Sequence, residues 1–272
     1  DILSIILSTI GFGGIVYGFS AAGEGAGEWL QKGVLLPIVI GTISLTLFSI
    51  RQFKMEQPMI NLRVFKFSMF TLGVIMVFAA MMLILASAIL LPLYLKGSLL
   101  LTAFTAGLVL LPGGLVNGLM SPFAGTLFDK YGPKFLVIPG FIMTTITTFF
   151  LSDITTTTST TIIIILHTCL FIGIALIMMP AQTNGLNQLP PAFYPDGSAV
   201  MNTLSQIAGA IGTAVAVSIM AAGQENYNSN LKGMPNVETM AEALTAGIQN
   251  AFLFALIASI IGLVVSLFVK RV

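Results

Sequence analysis

The chain has 272 residues, 56% of them hydrophobic and 8% charged, and a mean hydropathy of +1.01. That composition excludes an ordinary soluble domain, and a formal net charge of +1, with Lys and Arg scattered at segment ends, gives no sign of a nucleic-acid partner. One cysteine, Cys169, excludes an internal disulfide and any multi-cysteine metal site.

Crossing the hydrocarbon takes roughly 20 helical residues, and the chain offers such a run eight times. The first apolar run starts at Ile2 with no basic region ahead of it. No secretory signal is therefore read, and a start at Asp1 without a Met is read as the interior of a longer chain. Ile2–Ser20 carries Gly14-x-x-x-Gly18 and no charge; Gly33–Ile50 is the second span, and a Gly-rich turn bearing Glu24 and Glu28 would join the two as a hairpin. Arg51–Phe67 is too charged to span. Its mixture of Arg51, Lys54, Arg63 and Lys66 with Met59, Ile60, Val64 and Phe65 suits either a segment lying among the headgroups or a plain connector.

The third span fills much of Phe67–Leu95, and the fourth runs from Thr102 to Phe128, with kinks expected at Pro112 and Pro122. Phe135–Ser152 is the fifth, followed by a threonine-rich turn at Thr155–Thr161. The sixth, Ile162–Leu186, stops before Leu189-Pro190-Pro191. The seventh is Ser198–Ala222, a polar stretch at Gly223–Thr239 reads as the single long loop, and the eighth span is Ile248–Val269. Alternating the spans puts Arg51, Lys54, Arg63, Lys66, Lys130, Lys134, Lys270 and Arg271 on one side and only Lys32, Lys96 and Lys232 on the other. The positive-inside rule then makes both chain ends cytoplasmic.

The stretch Leu110–Gly140 organises the rest. Gly114, Gly118, Ser121 and Gly125 share a helical face that another backbone could approach closely. Asp129, Lys130 and Lys134 mark the exit from the hydrocarbon, Gly132 gives turn freedom, and Pro133 suits the first position of the next helix. Gly125, Leu127, Asp129 and Gly132 match G-x-L-x-D-x-x-G, which resembles the signature loop of the major facilitator superfamily. Leu91–Gly113 and Met179–Ala214 are similar to the fourteen-helix drug:proton antiporters of the EmrB/QacA type, and among these to the lincomycin-resistance exporters.

The resemblance implies an all-α polytopic membrane protein. Residues 1–50 would be the central two-helix hairpin, 51–67 a cytoplasmic amphipathic connector, and 68–272 the C-terminal six-helix half, built of two inverted three-helix units with substrate near the midplane. It implies multidrug export by drug:proton antiport through alternating access in a bacterial cell membrane. The partners would be lipid, lipophilic drugs, protons and an N-terminal half. The other reading is a truncated or non-transporting membrane subunit that docks on another half. No catalytic residue, metal cluster or cofactor motif stands out.

Every carboxylate falls at a span end or in a loop, so proton coupling would need an acid elsewhere. Asp129 is expected near a helix N-terminus, as a latch between halves in such transporters or else paired with Lys130 or Lys134. His167, the only histidine, is a proton acceptor or a neutral side chain bonded to a backbone carbonyl. On the seventh span Asn202, Gln206, Gly209 and Thr213 form a polar and small stripe, for packing or for a cavity, which should turn away from lipid. Many relatives carry Arg where Ser205 stands. Met81, Met82, Ser87 and Tyr94 on the third span, Asn117 on the fourth, and Met178, Met179 and Gln182 on the sixth (with Asn184) are cavity candidates or ordinary packing groups.

Overall fold

The computed structural model describes residues 2–24, 29–55, 58–230 and 236–271; the turn acids Glu24 and Glu28, with Asp1, Glu56 and Lys232, have side chains outside the described residues. Eight helices among those residues are long and apolar enough to cross a membrane: α1 (Ile2–Glu24), α2 (Lys32–Lys54), α3 (Ser68–Leu93), α4 (Ala103–Tyr131), α5 (Lys134–Leu151), α6 (Thr160–Asn187), α7 (Tyr194–Ser229) and α8 (Val237–Ser266). Their apolar runs are long enough for a bilayer, and the protein is a polytopic, all-helical membrane protein.

Caps set several boundaries. The side chains of Thr102, Ser159 and Asn236 accept from the N–H groups of Thr105, Thr161 and Thr239, opening α4, α6 and α8. At Asn236 the bond is returned, its own N–H donating to Thr239 Oγ1 at 2.9 Å. One expectation is corrected here. The long loop at Gly223–Thr239 shrinks, because α7 continues to Ser229 and α8 begins at Val237; Glu225, Glu238 and Glu242 stand on helices rather than in a loop. Tyr227 Oη, donating to Glu242 Oε2 at 2.7 Å, ties the two helices beyond the apolar runs. In the segment 51–67 the first residues finish α2, and a short 3-10 turn, Leu62–Lys66, follows. Pro112 and Pro122 lie within an unbroken α4.

α3 runs on into a π-helical turn, Tyr94–Ser98, and the chain reaches α4 through Leu100, whose φ of 55° is left-handed. Two apolar clusters fill the bundle, one around Leu90, Tyr94, Leu95, Leu170 and Phe252, the other around Val64, Phe70, Phe141, Ile177 and Val200. The packing carries a repeat that periodicity alone did not show. Exchanging α3–α5 with α6–α8 turns the α3–α7 contact into α6–α4, and α5–α6 into α8–α3, while α3–α6 and α5–α8 map onto themselves. The neighbouring pairs depart from it, α7 packing along α8 far more than α4 along α5. Alpha-carbons meet closely at α5–α6, where a Cβ on Gly140 would lie 2.8 Å from the Gly173 carbonyl oxygen. α1 and α2 pair with each other, and α1 also lies on α7.

Hydrogen bonds show which segments share an end. At the basic end, Asp196 Oδ1 accepts from Asn61 N–H (3.1 Å), Gln188 Oε1 from Met69 N–H (2.6 Å), Lys270 carbonyl from Asn184 Nδ2 (3.0 Å) and Asp129 carbonyl from Arg271 (2.9 Å). At the other end, Tyr94 Oη and Gln249 Nε2 donate to the carbonyls of Thr155 (2.6 Å) and Ile154 (2.7 Å). Arg63, Lys66, Lys130, Lys134, Lys270 and Arg271 thus gather at one end of the bundle.

Candidate functional site

The signature loop is built where α4 ends. Gly132 closes the helix, its N–H donating to the Phe128 carbonyl at 2.8 Å, with φ 81° and ψ 174°, a region essentially restricted to glycine. Pro133 follows with helical angles and stands just ahead of α5 as its cap, one position earlier than expected. Gly132 and Pro133 are buried; Asp129, Lys130 and Lys134 are exposed.

Asp129 lies in the last turn of α4, not at a helix N-terminus, so the negative end of that dipole does not favour its charge. The favourable charge there is cationic. Arg271 donates from Nη2 to the Asp129 carbonyl and lays its stem over Gly132, where a Cβ would come within 3.2 Å of Arg271 Cδ. Lys130 sits with Nζ 5.1 Å from the centroid of the Tyr131 ring rather than on Asp129. Arg271 had read only as a topogenic charge; its role here depends on a contact across 142 positions that no local pattern signals.

The small face of α4 is largely uncovered. Gly114 and Gly118 have no atom within 4 Å of a Cβ placed on them, Ser121 is exposed, and Gly125 meets only Met179 Cε at 3.1 Å. The glycine that makes close contact is the neighbouring Gly113, packed under the imidazole of His167. Beside the open glycines, Leu115, Leu119 and Phe123 are also exposed, at 57%, 66% and 62%. His167 is buried, its ring 4.7 Å from that of Phe171, and its Nδ1 has no hydrogen-bond partner.

The cavity candidates separate by environment. Ser87 is buried and donates to the Ile84 carbonyl (2.9 Å), and Tyr94 is buried and donates to Thr155. Met81, Met82, Asn117, Met178 and Gln182 are half-buried, Met82 lying with its backbone against Gly212. Met179 is half-buried against Gly125, its sulfur 3.7 Å from the Thr183 hydroxyl. Asn202 and Gln206 are exposed, so that part of the α7 stripe is uncovered. Gln206, Gly209 and Thr213 line a cleft of about 600 Å³ between α7, α3 and α1. Val16 and Ser20 of α1 complete it; their contribution was not read from the sequence, since an apolar hairpin helix gives no sign of its neighbours.

A family model described as Major Facilitator Superfamily matches residues 2–213. Lincomycin resistance protein LmrB of Bacillus subtilis (strain 168) is 66% identical over 272 residues, 100% of this chain and 57% of that protein. LmrB of Listeria monocytogenes is 60% identical over 271 residues, again 57% of its length. The riboflavin transporter RibZ of Clostridioides difficile is 28% identical over 236 residues, 86% of this chain and 50% of that protein. The chain therefore spans little more than half the length of the curated relatives it matches most strongly. On the family-model match over residues 2–213 and on these identities, the chain belongs to the Major Facilitator Superfamily.

Proposed function

We propose that this chain is the C-terminal part, with the central hairpin, of a drug exporter working by drug:proton antiport and alternating access. The observation that carries drug export is the 66% identity to a lincomycin resistance protein over the whole chain. The geometry supports a moving partner. α4 and α7 are exchanged by the internal repeat, and both carry unpacked faces of small or polar residues. Two rocking halves need such faces, because small residues let backbones approach and slide.

The drug would meet the half-buried or exposed candidates, Met81, Asn117, Met179, Gln182, Asn202 and Gln206, whereas Ser87 and Tyr94 are committed to internal bonds. None of the described carboxylates is buried, so the proton-reading acid belongs to the partner half. The positive-inside bias supports a cytoplasmic basic end, with Asp129 at the latch. The test is lincomycin accumulation in cells expressing residues 1–272 alone, and with an N-terminal half supplied as a second chain. Efflux restored only by co-expression, and weakened by Asp129→Asn, is expected; energy-dependent efflux by the chain alone overturns the proposal.

A further inference from the structure

Where α2 ends, the hairpin, the 3-10 turn and α7 enclose an apolar pocket of about 170 Å³, lined among others by Phe12, Leu45, Phe48, Leu62, Phe65 and Leu204. A shallower groove shares Leu45 and Ser49 with it and runs along α2 from Thr42 to Phe53. Eleven residues of helix rise about 16 Å, close to half the roughly 30 Å hydrocarbon thickness. The pocket and groove together are as deep as one leaflet.

The turn that closes the pocket is held in place. Gln52 is buried, donates to Ser4 Oγ at 2.8 Å and accepts from Ile60 N–H at 3.2 Å. Asp196 accepts from Asn61 N–H, so its carboxylate is engaged with main chain, and Thr71 Oγ1 donates to the Phe65 carbonyl at 2.9 Å. In a 3-10 turn residues three apart eclipse. Leu62 and Phe65 line the pocket, Val64 is buried in the core, and Arg63 and Lys66 stand together in the open, near Lys54 in sequence at the end of α2. An apolar slot about one leaflet long is thus closed by a turn whose open residues, Arg63 and Lys66, are cations.

We propose that this slot binds an anionic phospholipid of the leaflet at the basic end, with an acyl chain along α2 and its phosphate at Arg63 and Lys66. The proposal rests on the chain's place in a bilayer and is independent of the drug-export reading. A zwitterionic lipid would fill the slot equally well but gain less at the rim, each cation near an anionic surface favouring it about fivefold.

The test places p-benzoylphenylalanine at Phe65 of the full-length protein in liposomes holding equal phosphatidylglycerol and phosphatidylcholine. The same probe at Leu253, exposed on α8, reads the bulk lipid. After irradiation, mass spectrometry should find phosphatidylglycerol adducts at position 65 enriched about fivefold or more over position 253. Arg63→Gln with Lys66→Gln should return that ratio to the bulk value, while adducts at 253 are unchanged and report an intact fold. Equal ratios at the two positions, or adducts at 65 formed only with protein, would overturn the proposal.

Discussion

Replacing Gly132 by Ala tests the architecture of the signature loop directly. At φ 81° and ψ 174° a Cβ costs about 1–3 kcal/mol of backbone strain. The new methyl also reaches Arg271 Cδ at 3.2 Å; the side chain is flexible and moves aside, giving up its bond to the Asp129 carbonyl. A charged hydrogen bond is worth about 1.5–3 kcal/mol when buried. Arg271 is exposed, so solvent screening reduces this to 1 kcal/mol or less, near the value of a surface pair. The expected loss is about 1–4 kcal/mol. Reversible unfolding of the purified protein in mixed micelles measures it, with Gly118→Ala as control. Gly118 is helical with nothing within 4 Å, so its substitution should be neutral or stabilise by up to about 1 kcal/mol. A loss under about 1 kcal/mol at Gly132, or an equal loss at Gly118, would refute the reasoning.

Two further outcomes follow from the same residues. In a Cys169→Ala background, single cysteines at Thr155 and Asn228, both exposed at the end away from the basic cluster, should react with a membrane-impermeant thiol reagent in intact cells; one at Met59 should not, and the reverse pattern would invert the orientation. In the full-length protein, His167→Gln should leave the proposed proton-driven efflux and its pH profile unmoved, because His167 is packed between Gly113 and Phe171; lost coupling with drug binding intact would make it the proton carrier.

Hydropathy located all eight spans because leaving water is the dominant constraint on such a chain, and it misplaced ends where helix and hydrocarbon stop at different points. α7 continues through Gln224, Glu225 and Asn226, polar residues that a helix tolerates once it projects beyond the apolar layer. Periodicity correctly put Gly114, Gly118 and Gly125 on one face. It could not say what covers that face, and most of it is open while Gly113, one position away, takes the close contact with His167. Tyr94 shows the same gap: its aromatic ring reads as cavity lining, yet its hydroxyl is spent on a carbonyl 61 positions away. Covalent order carries no trace of such pairings.

The two ends of α3 are held very differently. Its first turn is riveted: Gln188 accepts from the amides of both Met69 and Phe70, at 2.6 and 3.3 Å, and Lys270 N–H points at the Met69 sulfur at 3.2 Å. Its far end passes into the wide π turn, where Tyr94 Oη donates to the Thr155 carbonyl, and then into the left-handed Leu100, a conformation that costs a β-carbon residue about 1–2 kcal/mol. α3 is thus pinned at both ends, through Gln188 at the basic end and Tyr94 at the other, and the one left-handed non-glycine residue among those described lies just beyond the second pin.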